Sequence, residues 1–398
     1  MHAISLHSDR PLASMSEKFT IRAAFVLLFP GFFFYHSLLG LGRISAFLGG
    51  YFTIVALILT LPLIFFYVMA LKKYKNYFSK FDLYIVLFLM YYTLVLAIQF
   101  LVGTDGIIAQ RYVLSLIYFM DTYIIFRMID LDDKKFVALA ALLLVFMSTI
   151  TVYFSIDGFF YLHALDEAKN PESLATYQGF ARSYIYTFLI LVSLAQSIGI
   201  RFLLYGLATA SLFLNGARSE FSALLFVIPI IELYYTKYKL FSIIPFIVAL
   251  ILFAANLESI VGTLPNNRTV QLFDLSQSSS AIAREQLTSI AWRTITQNPI
   301  FGDFASYPDG HYAHNILCAW VDFGLPGFLL FAGLLFWPAF HLFADGYFLK
   351  VRSSDFVLAC AFICITILWA LTAKAIPDMS VGAALGAFAK YRYGKRRD

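Results

Sequence analysis

Long apolar runs alternate with short polar segments along almost the whole chain. Runs of about 18 residues or more recur, and a helix of that length crosses a hydrocarbon layer about 30 Å thick. Polar residues do not alternate with apolar ones inside these runs, so the pattern favours helices over membrane-barrel strands. It predicts about twelve transmembrane helices, at 22–41, 46–71, 83–103, 112–129, 136–156, 184–200, 202–217, 220–236, 240–256, 326–344, 355–373 and 379–391.

Composition supports the same class. Hydrophobic residues make up 61% of the chain and charged residues 13%, whereas a soluble domain carries about 25% charge. We therefore expect an all-α, polytopic membrane helix bundle. The net charge of +5 does not indicate a nucleic-acid partner, because the basic residues lie in short loops between apolar runs. Cys318, Cys360 and Cys364 all lie in apolar runs and suggest neither a disulfide nor a metal site.

Basic clusters predict the orientation of the bundle. Lys72, Lys73 and Lys75 follow the second span, and a basic tail ends the chain. Cytoplasmic loops carry an excess of lysine and arginine, so both termini are expected in the cytoplasm and the large loop between spans nine and ten outside it. The predicted divisions are a cytoplasmic N-terminal segment (1–20), helices one to nine (21–256), the large outer loop (257–312), the helix start with helices ten to twelve (313–391), and the basic cytoplasmic tail (392–398).

A lone arginine lies between two apolar runs in the stretch LFLNGARSEF. Arg218 therefore places a permanent positive charge near the outer membrane interface. The simple interpretation is a side chain that extends toward the lipid headgroups. The alternative is a phosphate ligand, because a guanidinium stays charged and binds phosphate oxygens through two parallel donors. Glu220 follows closely enough to orient Arg218 or to neutralise it.

The large loop contains a predicted helix over 278–297. Its apolar stripe consists of Ala283, Leu287, Ile290 and Thr294. Arg284 and Arg293 are nine residues apart and, at about 100° per residue, point to nearly opposite sides of this helix. At most one of them is expected to face a shared pocket, and Arg284 is our choice; a solvated loop arginine is the alternative.

Two histidines lie three residues apart where the loop meets the tenth span. His314 is expected to begin that helix, with Asn315 next to it, while His311 lies in a turn. Histidine suits proton transfer near neutral pH, although a histidine at a helix start often only satisfies local hydrogen bonds. Asp121 lies inside the fourth span, where a charge is costly, and the sequence leaves its role open.

The order of these motifs resembles the bacterial O-antigen polymerase and O-antigen ligase superfamily. The matching stretches are NGARSEF, a loop helix ending in QNPIFGDF, the pair HN, and DFGLPG. The resemblance implies catalysis by two arginines and one histidine, which map by motif to Arg218, Arg284 and His314, with Arg293 as the other candidate for the loop arginine. The residues then expected to bind substrate are Arg293, His311, Asn315 and Glu220.

The resemblance implies an inner-membrane glycosyltransferase with a periplasmic active site. Its donor would be a glycan on undecaprenyl pyrophosphate, and no metal or other cofactor is expected. A repeat-unit polymerase is the first expectation, and a ligase that transfers the glycan to lipid A-core is the alternative. A transporter or flippase for the same lipid-linked glycan is a third interpretation, which the scarcity of charge in the middle of the spans disfavours. The expected partners are the lipid-linked glycan, membrane lipid and a chain-length regulator protein, but no nucleic acid.

Overall fold

A computed structural model describes residues 15–45, 47, 51–74, 77–160, 177–236, 244, 246–248, 251–252, 255–256, 269–270, 279–307, 313–347, 353–373 and 379–394. The helices are α1 (Met15–Gly40), α2 (Tyr51–Lys73), α3 (Lys80–Val102), α4 (Gly106–Met128), α5 (Lys134–Tyr153), α6 (Tyr177–Leu194), α7 (Ile198–Asn215), α8 (Arg218–Tyr235), α9 (Ser279–Gln297), α10 (Leu317–His341), α11 (Ser354–Thr372) and α12 (Met379–Tyr393). An antiparallel hairpin, β1 (Ser155–Ile156) and β2 (Phe159–Phe160), follows α5.

Seven helices in the described part of the chain are long and apolar enough to cross a membrane. They are α1, α2, α3, α5, α7, α10 and α11. The apolar stretch of α11 is 72% buried by other helices, whereas the apolar stretches of α2 and α3 are each 22% buried. A helix that is apolar all round and still exposed on most of its surface needs a lipid environment. The expected class, an all-α membrane protein, is therefore confirmed.

Charged residues pair between helix ends at one end of the bundle, which we call the charged end. Within the described residues the pairs are Lys18–Asp130, Arg22–Asp133, Arg127–Asp82, Arg201–Glu232 and Lys390–Asp355. They join the starts of α1, α3, α7 and α11 to the ends of α4, α8 and α12 and, through Asp133, to the start of α5. The Arg201 fork is bidentate, because its Nε and Nη2 lie 2.5 and 2.9 Å from the two Glu232 oxygens. The opposite end, where α8 and α10 begin, is the loop-helix end.

Helix α12 packs parallel to α4 through small residues. Gly382 faces the Phe119 carbonyl and Gly386, one turn later, faces the Tyr123 carbonyl, and a Cβ on either glycine would clash with that backbone. The spacing is the GxxxG pattern that allows two membrane helices to approach closely. The shortest of the predicted spans, 379–391, is thus buried at every position from Ser380 to Lys390.

Several predicted boundaries are wrong, and the reasons are physical. The first helix begins at Met15, ahead of the predicted 22, because its charged residues pair with Asp130 and Asp133. Helix α6 begins at Tyr177 and not at 184, since its polar first turns pack inside the bundle. Arg201, predicted to lie in a loop, lies inside α7 with Glu232 as its partner. The predicted ninth span, 240–256, lies largely outside the described residues.

Candidate functional site

The two glycine motifs of the loop and of α10 interlock through their backbones. Gly324 has φ 64° and interrupts α10, which begins at Leu317 and so extends nine residues ahead of the predicted span at 326–344. Across this break, Leu325 N donates to Ile300 O at 3.1 Å and Asp303 N donates to Val321 O at 2.7 Å. A Cβ on Gly324 would clash with the Ile300 carbonyl oxygen. The NPIFGDF and DFGLPG stretches therefore hold the loop against the start of α10.

A buried carboxylate reinforces the same junction. Asp322 Oδ1 accepts from the Ala305 N–H at 3.2 Å, and its Oδ2 accepts from the Tyr112 hydroxyl at 2.8 Å. Trp320 Nε1 donates to Pro299 O at 2.7 Å. Burial raises the pKa of the nearby Tyr307 phenol well above its usual range, so this hydroxyl stays protonated. These contacts connect the loop to α4 and α10.

The loop helix α9 lies on the start of α10 with one face. Leu287, Ala291 and Ile295 of α9 form a small core with Cys318 and Val321 of α10. Ile290, predicted in the apolar stripe, is 36% exposed. The true stripe is displaced from the predicted one because tertiary packing, and not apolar spacing alone, selects the buried face.

The position of this face separates the two candidate arginines. At about 100° per residue, Arg284 lies near the middle of the stripe formed by Leu287, Ala291 and Ile295, and it is partly buried. Arg293 lies on the opposite side and is exposed. Of the two, Arg284 is therefore the one that lies on the side of α9 facing α10.

His314 lies in the turn before α10, three residues ahead of the helix that it was predicted to begin. Its Nδ1 is 3.3 Å from the Ala373 carbonyl oxygen, beyond the end of α11. A carbonyl oxygen only accepts, so Nδ1 carries the proton and the lone pair of the neutral ring is on Nε2. His311 lies outside the described residues.

Asn315 connects this turn to the loop helix. Its Nδ2 donates to Thr288 Oγ1 at 3.1 Å, and its Oδ1 accepts from Leu317 N at 3.0 Å, which satisfies a first-turn donor of α10. Thr288 lies one turn after Arg284 and donates its hydroxyl to the Arg284 carbonyl at 2.9 Å. The amide that was expected to bind substrate is thus engaged in positioning His314 relative to α9.

Arg218 is the first residue of α8, after a left-handed Gly216 that ends α7. The next residue, Ser219, accepts from Trp369 Nε1 through its carbonyl at 2.9 Å. Glu220 is fully buried and its Oε2 accepts from the Ser219 hydroxyl at 2.6 Å. The start of α8 is therefore held against the last turn of α11, one turn before Ala373.

These contacts form one connected set at the loop-helix end. Ala373 N donates to Trp369 O at 2.8 Å, so the start of α8 is joined through the end of α11 to the turn of His314. That turn is joined in turn to Arg284 through Asn315 and Thr288. The set includes the His314 ring, the Arg284 carbonyl and the Ser219 carbonyl next to Arg218, and Arg293 on the exposed side of α9 is not part of it.

Three residues at this end were not selected from the sequence. Trp369 and Thr288 supply two of the connections above, and Arg182 lies half-buried in the second turn of α6. A tryptophan near the end of an apolar run indicates a membrane interface, and this signal could have identified Trp369. Arg182 was missed because the start of α6 was predicted seven residues too late.

Comparison with known proteins adds no relative to the structural observations. No protein-family model matches the chain, and no curated protein matches it. The fold and the composition define a membrane-embedded all-α protein. The resemblance to O-antigen polymerases and ligases stays a prediction from the motifs.

Proposed function

We propose that this protein is an inner-membrane glycosyltransferase that takes its glycan from undecaprenyl pyrophosphate on the periplasmic side, as a repeat-unit polymerase. The observation that carries the proposal is the connected set of hydrogen bonds that joins the positions of Arg218, Arg284 and His314 at one end of an apolar bundle. Two permanent cations and one histidine at a membrane surface suit a substrate that has a lipid tail and a diphosphate.

The proposed reaction forms one glycosidic bond and breaks one sugar–phosphate bond. The acceptor hydroxyl oxygen attacks the anomeric carbon of the donor, and the lipid diphosphate leaves with the bonding electron pair. His314 Nε2, which carries the lone pair, takes the hydroxyl proton. Arg218 and Arg284 stabilise the negative charge that develops on the leaving diphosphate.

The arrangement of helix ends supports a twelve-span bundle with both termini in the cytoplasm. Helix α8 ends at the charged end and α10 begins at the loop-helix end, so an odd number of crossings separates them. The predicted ninth span at 240–256 supplies one crossing. The charged end carries the basic clusters, and the positive-inside rule assigns it to the cytoplasm.

Transfer by the purified protein tests the proposal directly. With a lipid-linked donor, His314→Ala should leave about 10⁻² to 10⁻⁴ of the parent rate, the usual loss of general-base help. His311→Ala is the matched control and should retain most of the rate, and a chelator should leave the parent unaffected. Equal losses in the two histidine variants, or no transfer by the parent with any lipid-linked glycan, would contradict the mechanism.

A deletion strain separates the two closest alternatives. In lipopolysaccharide from a strain without this protein, a core that carries one repeat unit indicates a polymerase. A core that carries none indicates a ligase. We expect the single repeat, and a bare core would move the assignment to the ligase reaction while leaving the chemistry unchanged.

A further inference from the structure

We propose that Asp121 is a proton-binding site inside the helix bundle. In this assignment the side chain is a neutral carboxylic acid that donates its proton to the Thr60 hydroxyl and thereby joins α4 to α2. The inference uses only contacts between these two helices, and it does not depend on the glycosyltransferase reaction.

The Thr60 hydroxyl lies between two oxygen atoms and has only one proton to donate. The Thr60 Oγ1 is 2.8 Å from the Ala56 carbonyl oxygen and 3.1 Å from Asp121 Oδ2. A hydroxyl has a single proton, and the Ala56 carbonyl can only accept. Since the closer contact uses the hydroxyl proton, the contact with Asp121 is satisfied when the carboxyl supplies the second proton.

The surroundings of Asp121 favour the same state. The residue is fully buried, two helical turns before α4 ends at Met128, and its Oδ1 has no hydrogen-bond partner in the described part of the chain. An ionised carboxylate has several acceptor sites to satisfy, and a buried charge without a partner costs far more than a buried neutral acid. A protonated carboxyl has fewer unmet acceptor sites and no charge.

No described cation reaches this carboxyl from the helices packed around it. On α2 the nearest basic residue is Lys72, twelve residues beyond Thr60, or about 18 Å along the helix. On α12 the basic residues are in the last turn, where Lys390 pairs with Asp355. On α1, Arg22 pairs with Asp133, and on α4 itself Arg127 pairs with Asp82 of α3. Tyr118, three residues before Asp121 on α4, has its hydroxyl 2.6 Å from Thr53 Oγ1.

Two other buried acids, Asp82 and Glu232, show the contrast. Asp82 contacts the Tyr123 hydroxyl and lies 3.7 Å from the Arg127 guanidinium, and Glu232 accepts from both arms of the Arg201 fork. These carboxylates have cationic partners at the charged end. Asp121 has a threonine in place of a cation, and this difference distinguishes a proton site from an ion pair.

Infrared spectroscopy of the full chain in lipid tests the proposal without an activity assay. The difference spectrum of the parent minus Asp121→Asn at neutral pH should contain the C=O stretching band of a protonated carboxylic acid. A difference spectrum that contains carboxylate bands in its place would overturn the assignment. This readout does not require any reagent to enter the bundle.

Stability variants give a second, independent readout. In Asp121→Asn the amide N–H can still donate to Thr60, so the melting temperature should stay close to that of the parent. Thr60→Val removes the acceptor and should lower it by several degrees. Thr93→Val is the matched control, because Thr93 makes the same hydroxyl-to-carbonyl bond on an exposed face of α3. The proposal would be contradicted if Asp121→Asn lowered the melting temperature as much as Thr60→Val does, or if the two threonine variants lowered it equally.

Discussion

At the scale of single residues, the two loop arginines are a matched pair within one helix. Arg284 lies on the face of α9 that packs on α10, and Arg293 lies on the exposed face. Arg284→Lys keeps the charge but loses the planar two-donor fork. We expect a loss in transfer rate of about 10²-fold, the typical effect of removing one oriented donor to a developing charge.

Arg218→Lys should behave like Arg284→Lys for the same reason, while Arg293→Lys should transfer at nearly the parent rate. The measurement is the initial rate with a lipid-linked donor at matched amounts of folded protein. If Arg293→Lys loses as much of the transfer rate as Arg284→Lys, the choice of Arg284 as the functional loop arginine from its helix face is wrong. If all three variants retain the parent rate, the arginines have only a structural role.

A second residue-scale prediction concerns pH. Burial is the largest single effect on Asp130 and raises its pKa, but the hydrogen bonds from Lys18, 2.9 Å away, and from the Asp132 N–H, together with the charges of Lys18 and Lys390, outweigh it and hold the pKa below the usual range. The folded value is lower than the unfolded one, so the pair contributes stability above the unfolded pKa and loses it as pH falls through the folded pKa. The side chains are 29% and 27% exposed, so the contribution is at most about 1 kcal/mol.

Asp130→Asn should therefore lower the melting temperature slightly at neutral pH and have no effect at a pH below the folded pKa. The measurement is thermal unfolding of parent and variant in detergent over the acidic range. Asp132→Asn is the control, since Asp132 is exposed and has no ion pair in the described structure. If the difference in melting temperature between the parent and Asp130→Asn does not shrink as the pH falls, the predicted direction of the pH dependence is wrong.

At the scale of elements, the sequence predicts helices well and their edges less well. An apolar run reports how much of a helix can be in lipid, so α2, α3, α5 and α11 lie close to their predicted spans. It cannot report helical turns that polar residues continue inside the bundle, such as the start of α6 at Tyr177. Gly and Pro close together, as in Gly324-Leu325-Pro326-Gly327, favour a break in a helix, but the backbone bond from Leu325 to Ile300 involves a distant segment, and no local pattern contains it.

In the candidate site, too, the local sequence predicted some features, and others depend on tertiary contacts. The local motifs were sufficient to select Arg218, Arg284 and His314 as candidates, and the spacing was sufficient to place Arg284 and Arg293 on opposite faces. The choice between those faces depends on which one meets α10, and this is a tertiary contact. The proton position on His314 depends on Ala373, 59 residues away in the chain, and could not be read from the sequence.

A prediction at this scale concerns the close contact of α12 with α4. Gly386→Val places two methyl groups against the Tyr123 backbone, and overpacking of this kind costs about 1–3 kcal/mol. The variant should unfold at a lower temperature, and a larger fraction of it in the membrane should be cleaved by protease than of the parent. Gly333→Val in α10 is the matched control, because nothing lies within 4 Å of a Cβ at that glycine. Equal destabilisation by the two substitutions would argue against a GxxxG contact.

At the scale of the whole molecule, the ion pairs and the candidate site lie at opposite ends of the bundle. The charged end holds five ion pairs within the described residues, and the loop-helix end holds the connected set of candidate catalytic positions. Each pair ties two helix ends together where lysine and arginine are favoured by the insertion rule. We therefore expect the same residues to set the orientation in the membrane and to hold together the helices whose other ends carry the candidate site.

This orientation can be tested with single cysteines, because the three native ones, Cys318, Cys360 and Cys364, are all buried. Arg293→Cys on the exposed face of α9 should react with a membrane-impermeant maleimide in cells whose outer membrane alone has been permeabilised. Asp132→Cys, exposed at the charged end, should react only after the inner membrane is opened. The parent gives the background from the native thiols. The reverse pattern would place the loop helix in the cytoplasm, where a periplasmic glycan donor could not reach it, and the proposed function would fail together with the topology.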